Sequence, residues 1–525
     1  MKSRGQLVAL VVVVFAGVFL WRSWEPPAPP PEPVAFAPFD VAAFGDGGTL
    51  TDAWADFDGD GDPDRFVGFN GGPSRLYRND GSGGFSDVAA EVGLIVERRV
   101  RTSSWGDFDG DGDPDLLLGY AGDGPVLALW RNDARASGAA EASDPLAAAG
   151  PTFTDVAASV GLTLESVATR QASWVDVDGD GDLDLFLALR DAPNRLWRND
   201  GGTFTDVSGE SHLGDPRRSV GAVWFDADQD GDLDVYVANM DGDANGMWIN
   251  EGGRFYDRAE AMGLDHGGRA LGDESQGTVR PCVVDFDRDG RLDLSTANYG
   301  PNGLFRNPDQ PGPWTDVSRE EGVAVDGRYD TCAWGDFDHD GWPDLYVNGT
   351  VTGGVSYGDH LYRREGGPFV DVTPPALRVE ADHGATWVDA DLDGDLDLAV
   401  AGAQENGVHL LFRNLLRPEY AFHSMKVMIL DGEGRATRAG AEVRAYAAGT
   451  YRLLGTALVD SGSGYDGQSE LPVHFGLPGA QPVDLEVTLP LGGRRVQTRI
   501  PGVDPAAYRG RVLRLRIDEQ GTLVR

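Results

Sequence analysis

The sequence predicts an all-β chain: a seven-bladed β-propeller closed by an N-terminal strand, followed by a small β-sandwich-like domain. Three observations predict it. A nine-residue aspartate pattern occurs seven times at nearly even spacing. Each copy sits in the same order of short apolar runs. The last copy lacks the final run of that order, and a look-alike segment stands ahead of the first copy.

The pattern is D-x-D-x-D-G-x-x-D. It opens as Asp56-Phe-Asp-Gly-Asp-Gly-Asp-Pro-Asp64 and recurs from Asp107, Asp176, Asp226, Asp285, Asp336 and Asp389, at spacings of 51, 69, 50, 59, 51 and 53 residues. Two residues earlier stands Trp54, Trp105, Trp174, Trp224, Val283, Trp334 or Trp387. An aromatic recurring at one place reads as blade-packing core. After the pattern come an apolar run such as Leu116-Leu-Leu118, then a block such as Leu196-Trp-Arg-Asn199, then an F-x-D-V element such as Phe153-Thr-Asp-Val156. Turn pairs such as Asp80-Gly81 separate them. Four short runs per repeat, each bounded by turn chemistry, read as antiparallel strands a to d. The F-x-D-V element is missing after Leu411-Phe-Arg-Asn414, while Phe39-Asp-Val41 precedes the first repeat. Pro38–Ala43 is therefore expected to pair beside Leu410–Arg413 and close the ring, leaving no end to cap as a linear solenoid would.

Domain boundaries follow: 1–24 a signal anchor or signal peptide, 25–35 a proline-rich linker, 36–417 the propeller, 418–525 the C-terminal β domain. Lys2 and Arg4 precede the apolar run Leu7–Trp21, roughly 22 Å as a helix and short for a full bilayer crossing. An uncleaved anchor with the bulk exported is the expectation, a cleaved signal peptide the alternative. The tail carries alternating stretches such as Glu442–Tyr446 and Val483–Leu489, which suit a small β-sandwich. Its arginines (Arg435, Arg438, Arg444, Arg452, Arg494, Arg495 and Arg499) either dock on the acidic propeller or solvate strand edges. The Ala-rich insertion Ala134–Gly150 falls in a c–d turn.

A formal net charge of −41 argues against nucleic acid and anionic lipid as partners, leaving the membrane only the N-terminal anchor. A 41% hydrophobic content with 13 Trp is enough for a packed core, so the acidity is not a sign of disorder. Two cysteines, Cys282 and Cys332, leave a disulfide and two buried thiols both open.

The aspartates have the chemistry of a hard-cation site. Positions 1, 3, 5 and 9 are Asp throughout: Asp56, Asp58, Asp60 and Asp64; Asp107, Asp109, Asp111 and Asp115; Asp176, Asp178, Asp180 and Asp184; Asp226, Asp228, Asp230 and Asp234; Asp285, Asp287, Asp289 and Asp293; Asp336, Asp338, Asp340 and Asp344; Asp389, Asp391, Asp393 and Asp397. Position 6 is always Gly, for a sharp turn. Position 7 varies (Arg291 and Trp342 replace Asp), which suits a backbone carbonyl ligand. Calcium takes six to eight oxygens at flexible geometry, whereas magnesium demands an octahedral, water-rich shell. Position 12, the EF-hand glutamate, is Val67, Leu118, Leu187, Val237, Thr296, Val347 or Val400, so these are β-hairpin loops. Four carboxylates crowded within about 5 Å repel by several kcal/mol unless a cation intervenes. Up to seven calcium ions (Ca2+) are expected, moving the formal charge from −41 to −27.

Repeated D-x-D-x-D-G loops in propeller blades resemble the FG-GAP repeats of integrin α-subunits and the related VCBS repeats, over about Phe36 to Asn414. In the tail, Gly440-Ala-Glu-Val443, Gly464-Tyr-Asp-Gly-Gln-Ser469, His474-Phe-Gly-Leu477 and Val483-Asp-Leu-Glu-Val487 resemble the ASPIC/UnbV domain. The whole arrangement resembles the cartilage acidic protein family. One departure is Leu489-Pro-Leu-Gly492 where that family usually shows Trp-Pro-x-Gly. The resemblance implies an extracellular or cell-surface protein of adhesion or binding, with a protein or glycan partner.

The aspartate loops are a–b turns, so recognition is expected on the opposite face. Its longest connections are Asn348–His360 and Gly263–Gly277. Competing readings are a secreted polysaccharide-active enzyme and a purely structural envelope component. The eight histidines are scattered, and no G-x-S-x-G or H-E-x-x-H motif appears, so a non-catalytic binding module is expected.

Overall fold

The computed structural model describes residues 33–39, 41–44, 46–133, 151–352, 354–379, 383–402, 409–462 and 465–524. The expected export segment 1–24, residues 25–32 of the proline linker and the Ala134–Gly150 insertion lie outside them. Among the described residues no helix is long and apolar enough to cross a membrane.

Every strand b starts on the position-9 aspartate: Asp64–Phe69, Asp115–Tyr120, Asp184–Leu189, Asp234–Asn239, Asp293–Pro301, Asp344–Gly349 and Asp397–Ala401. That aspartate pairs with the last residue of strand a, as in Ala55↔Asp64 and Phe225↔Asp234, so the rest of the motif spans the a–b turn. Strands b are apolar on both faces because neighbouring blades cover both. Four-stranded antiparallel units result, and those of repeats 5 and 6 are joined into one eight-stranded sheet where Tyr299–Pro301 pairs with Asp326–Arg328. Their strands a touch in a closed cycle, with Thr49–Ala55 of blade 1 meeting Gly384–Val388 of blade 7. The chain is a β-propeller.

The recurring tryptophans pack between blades. Trp105 lies 6.0 Å from Phe153 and 6.4 Å from Phe57, centroid to centroid. Its indole N–H donates to Ala53 O (3.3 Å) in the preceding blade, and Trp387 donates likewise to Ala333 O (3.1 Å). The Trp54 N–H donates to Thr386 Oγ1 across the closure (3.2 Å). Blades 5 and 6 are additionally tied by the Cys282–Cys332 disulfide, which resolves the two readings of those cysteines.

An N-terminal strand does close the ring, but it lies upstream of the expected segment. Phe36–Pro38 pairs antiparallel with Leu411–Asn414, in the register Phe36↔Asn414 and Pro38↔Phe412. The Phe39 N–H adds one bond to Leu411 O (2.7 Å), and Val41–Phe44 turns into a helical segment. The reason is register. In other blades the F-x-D phenylalanine pairs with the terminal Asn of strand c, as in Asn79↔Phe85 and Asn199↔Phe204, and Phe36 takes that place. Its ring packs 6.1 Å from Phe337 and 6.3 Å from Trp387.

The C-terminal domain is two four-stranded sheets. One orders Val473–Gly476, Ser424–Leu430, Val512–Ile517 and Leu523–Val524; the other orders Leu453–Leu458, Glu442–Ala447, Val483–Pro490 and Arg495–Val503. Val427, Phe475, Val443, Leu485 and Leu515 fill one core between them. This sandwich sits on the aspartate-loop face of the propeller, and one of its loops enters the central channel. Gly467–Gln468 pairs parallel to Asp52–Ala53. The Gln468 side chain accepts from Trp105 N–H (2.6 Å) and donates to Trp105 O (3.2 Å), and Trp174 N–H donates to Ser461 O (2.6 Å). Inner-strand amides that a hollow channel would leave to water are thereby satisfied by chain.

Candidate metal centres

Each aspartate loop is organised from its own backbone. The position-6 N–H donates to the position-1 carboxylate, as in Gly112→Asp107 (3.1 Å) and Gly341→Asp336 (2.8 Å). The position-7 N–H donates to position 5, as in Asp182→Asp180 (3.0 Å) and Trp342→Asp340 (2.7 Å). Position 6 takes φ between 87° and 101° in every copy, which explains its glycine. Position 4 is also left-handed in every copy, and in four it is not glycine: Gln229, Arg288, His339 and Leu392. Arg288 uses that conformation to donate to Leu454 O (3.0 Å), and His339 Nδ1 lies 2.9 Å from Tyr420 O. At these two positions the backbone strain is tied to docking of the C-terminal domain.

Position 9 is bound on both oxygens. Asp184 accepts from Val177 N–H (2.9 Å) and Asn199 N–H (2.7 Å), and Asp64, Asp115, Asp234 and Asp397 repeat the arrangement. In loop 6, Asp344 accepts from Phe337 and Arg364. In loop 5, Asp293 accepts from Asn307 and leaves Oδ2 without a partner. The strand-c asparagine completes the tie: Asn199 Nδ2 donates to Leu183 O (3.1 Å) and to Phe108 O of the preceding blade (2.8 Å). The sequence displayed this asparagine in every repeat except the sixth, where Arg364 stands, without revealing that it staples blade to blade.

The carboxylates converge. Asp56, Asp58 and Asp64 each offer an oxygen within 4.8 Å of the others, as do Asp107, Asp109 and Asp115, and Asp176, Asp178 and Asp184. In loops 4 and 5 the grouped residues are Asp226, Asp228 and Asp230, and Asp285, Asp287 and Asp289. Two more clusters of this kind occur among the described residues. Asp60, Asp111, Asp180, Asp230 and Asp289, all at position 5, are exposed at the rim, whereas Asp340 and Asp393 are half-buried. Buried oxygens without a hydrogen-bond partner point inward: Oδ1 of Asp56, Asp107, Asp226, Asp285 and Asp336 at position 1, and Oδ1 of Asp58, Asp287 and Asp391 at position 3. Burial first, then neighbouring carboxylates, push Asp64 and Asp115 up to about 9, and Asp107, Asp176 and Asp226 up to about 7. Carboxylates so placed need a proton or a cation at neutral pH. The grouped donors are all carboxylate oxygen, so they fit a hard divalent cation of flexible coordination. Bound there, calcium would supply charge neutralisation and a cross-link between turn and strand.

The loops are not equivalent. In loop 7, Asp395 at position 7 turns its side chain inward, fully buried and unpartnered on both oxygens, where the sequence pointed only to its carbonyl. In loops 5 and 7 the strand-c arginine reaches position 3: Arg306 to Asp287 (2.8 Å) and Arg413 to Asp391 (2.9 Å). The C-terminal domain adds Lys426, 3.5 Å from Asp389, Arg495, 3.5 Å from Asp226, and the Thr456 hydroxyl, which donates to Asp285 (2.7 Å). Arg444 donates to Gly290 O (2.7 Å), and Arg435 lies 3.4 Å from Asp182. Several tail arginines therefore dock rather than solvate edges. At Gly476 the approach is so close that a Cβ would collide with the Asp336 carboxylate.

Among the described residues, two histidines lie beside carboxylates: His360 is 2.8 Å from Asp371, and His383 lies between Asp330 (2.5 Å) and Asp466 (2.8 Å). Asp466 belongs to the inserted loop, so this cluster anchors the channel plug.

With this architecture in view, the chain is an FG-GAP-repeat β-propeller joined to an ASPIC and UnbV domain. Residues 56–118, 176–237, 226–294 and 285–347 match the FG-GAP-like repeat, and 433–505 match ASPIC and UnbV. Its relatives include human cartilage acidic protein 1, 27% identical over 262 residues, and the mouse protein at the same identity. The human match covers 47% of this chain and 37% of the relative, so the chain aligns with little more than a third of that protein's length. Solved structures with similar folds are remote. The β-propeller domain of Cps50 (Swd1) from Myceliophteria thermophila is 11% identical, with 69% of this chain and 97% of that one covered and a TM-score of 0.36. Sqt1 of Saccharomyces cerevisiae is 9% identical, with 87% and 100% covered and a TM-score of 0.38.

Proposed function

We propose that this protein is an exported, calcium-binding propeller that serves as a binding or adhesion scaffold at the cell surface. It meets a protein or glycan partner with the face opposite its aspartate loops. One observation carries the reading: the loop face is covered by the chain's own C-terminal domain, through Lys426, Arg435, Arg444, Thr456 and Arg495. The loops then act as staples beneath that domain, and among the described residues no second domain covers the opposite face. There, Gly263–Gly277 is held by the buried Arg269, which donates to Asn239 O (3.0 Å), while Leu271 stays exposed. Asn348–His360 carries a small hairpin, Val351–Thr352 against Val355–Ser356, with Val355 exposed.

The test is a protein and glycan array probed with the whole chain, with calcium and with chelator. Calcium-dependent binding that substitutions in Gly263–Gly277 or Asn348–His360 remove supports the reading. Absence of any partner in calcium would overturn it and favour a purely structural role.

A further inference from the structure

The plug leaves a hollow of about 230 Å³ at the channel end away from the aspartate loops. Arg170 and Arg328 line it from near the starts of strands Thr169–Val175 and Asp326–Gly335. Tyr465 of the plug is buried at its base, and Glu274 and Ser275 are exposed at its edge. A second hollow of about 500 Å³ shares Arg170 and Arg190 and continues past Pro193 and Pro216.

Most charges here are matched. Arg190 forks onto both oxygens of Asp241 at 2.8 Å, and Arg218 pairs with Asp243 at 2.9 Å. His383 takes Asp330 and Asp466, and Arg101 donates to the Tyr465 hydroxyl (2.5 Å). Arg170 is left over. Its Nε is buried without a hydrogen-bond partner, and its guanidinium makes no ion pair among the described residues. Arg328 likewise has no ion pair among them and lies over the Tyr299 ring, 4.7 Å from its centroid. Burial, followed by Arg101 and Arg190 nearby, holds Arg170 below its usual pKa despite the opposing influence of Tyr465 and, more weakly, Asp466. In a chain with 85 acidic and 44 basic residues, such an arginine is not unpaired for lack of carboxylates.

We propose that this hollow binds a carboxylate-bearing sugar, a terminal uronic acid whose carboxylate meets Arg170 and Arg328. The proposal rests on the reading of this face as the recognition face. Guanidinium forks match carboxylates in a bidentate way. Glu274 and Ser275 supply acceptors for ring hydroxyls, and the Glu274 carboxylate disfavours a doubly charged phosphate more than a singly charged carboxylate. The inner hollow is smaller than the roughly 300–1,000 Å³ of pockets that hold drug-sized ligands, so it suits one sugar unit. The outer hollow gives the remaining chain a path.

The test is calorimetry of the whole protein in calcium buffer with D-galacturonate, D-galactose and acetate. Galacturonate is expected to bind at least tenfold more tightly than either of the others, and more weakly as salt rises. Arg170→Gln should cost at least tenfold with unchanged melting, and Arg328→Gln should act in the same direction. Equal binding of galactose or acetate overturns the proposal, as does an Arg170→Gln variant that binds like the parent. An array partner held equally by parent and Arg170→Gln overturns this site and leaves the scaffold reading standing. Galacturonate held through Arg170, with no partner anywhere on the array, overturns the scaffold reading alone.

Discussion

His383 joins the two halves of the molecule through charge. Burial alone would push its pKa down, but Asp466 and Asp330 hold it well above the usual histidine value. Tyr465, 3.3 Å from Nε2 and itself bonded to Arg101, also faces it. A folded pKa above the unfolded one means protonation favours the folded state. The contribution is complete below the unfolded value, about 6.5, declines as pH rises past it, and is lost above the folded value. His383→Gln should therefore be most destabilising in mildly acidic solution, and the gap from the parent should narrow toward alkaline pH. Urea denaturation of both proteins across pH 6 to 10 measures this. Parallel stability curves would show that the histidine does not carry the charge assigned to it.

At the scale of the element, loop and closing strand make different predictions. Asp178 is exposed at the rim of loop 3 and shares its cluster with Asp176 and Asp184. Asp178→Ala should lower calcium stoichiometry by one while the fold survives, because blades 2 and 4 keep their own loops. Native mass spectrometry counts the ions, and a variant that fails to fold would contradict independent sites. Loops 5 and 7 should fill last, since Arg306, Arg413 and Lys426 already place positive charge on Asp287, Asp391 and Asp389. Phe36→Ala removes a buried ring from the cluster that joins the N-terminal strand to Trp387 and Phe412, and should cost about 3–5 kcal/mol, read as a shift in denaturant midpoint.

The motif itself was legible because one turn needs the same aspartates and the same left-handed glycine each time. The blades were legible because each strand b is apolar on both faces. The closing strand was misplaced for a physical reason: Phe39-Asp-Val41 fits the letters of F-x-D-V, but pairing depends on which aromatic falls opposite Asn414, and that is Phe36. Likewise, the plug has no periodic signal. Gln468 bonds Trp105 across 363 residues, and nothing local to Tyr465–Gln468 announces an inner strand as its partner.

At the scale of the whole molecule, carboxylates of the aspartate loops lie where the two domains meet. Position-1 aspartates serve both the candidate metal centres and the interface: Asp226 lies near Arg495, Asp285 accepts from Thr456, and Asp389 faces Lys426. Loop order and domain docking should therefore be lost together. A ligand that binds only the folded state adds about 2.7 kcal/mol per site at 100 times its Kd, so several filled loops should raise melting by many degrees. Chelation should lower the melting temperature accordingly and expose the Leu415–Ser424 connection to protease before the blades open. Calcium should restore both properties, and magnesium at equal concentration should not, because its octahedral shell resists so many fixed carboxylates. Scanning calorimetry with parallel limited proteolysis checks the coupling. Unchanged melting in chelator would remove the metal assignment, whereas lowered melting with a connection still resistant to protease would keep the metal and separate it from docking.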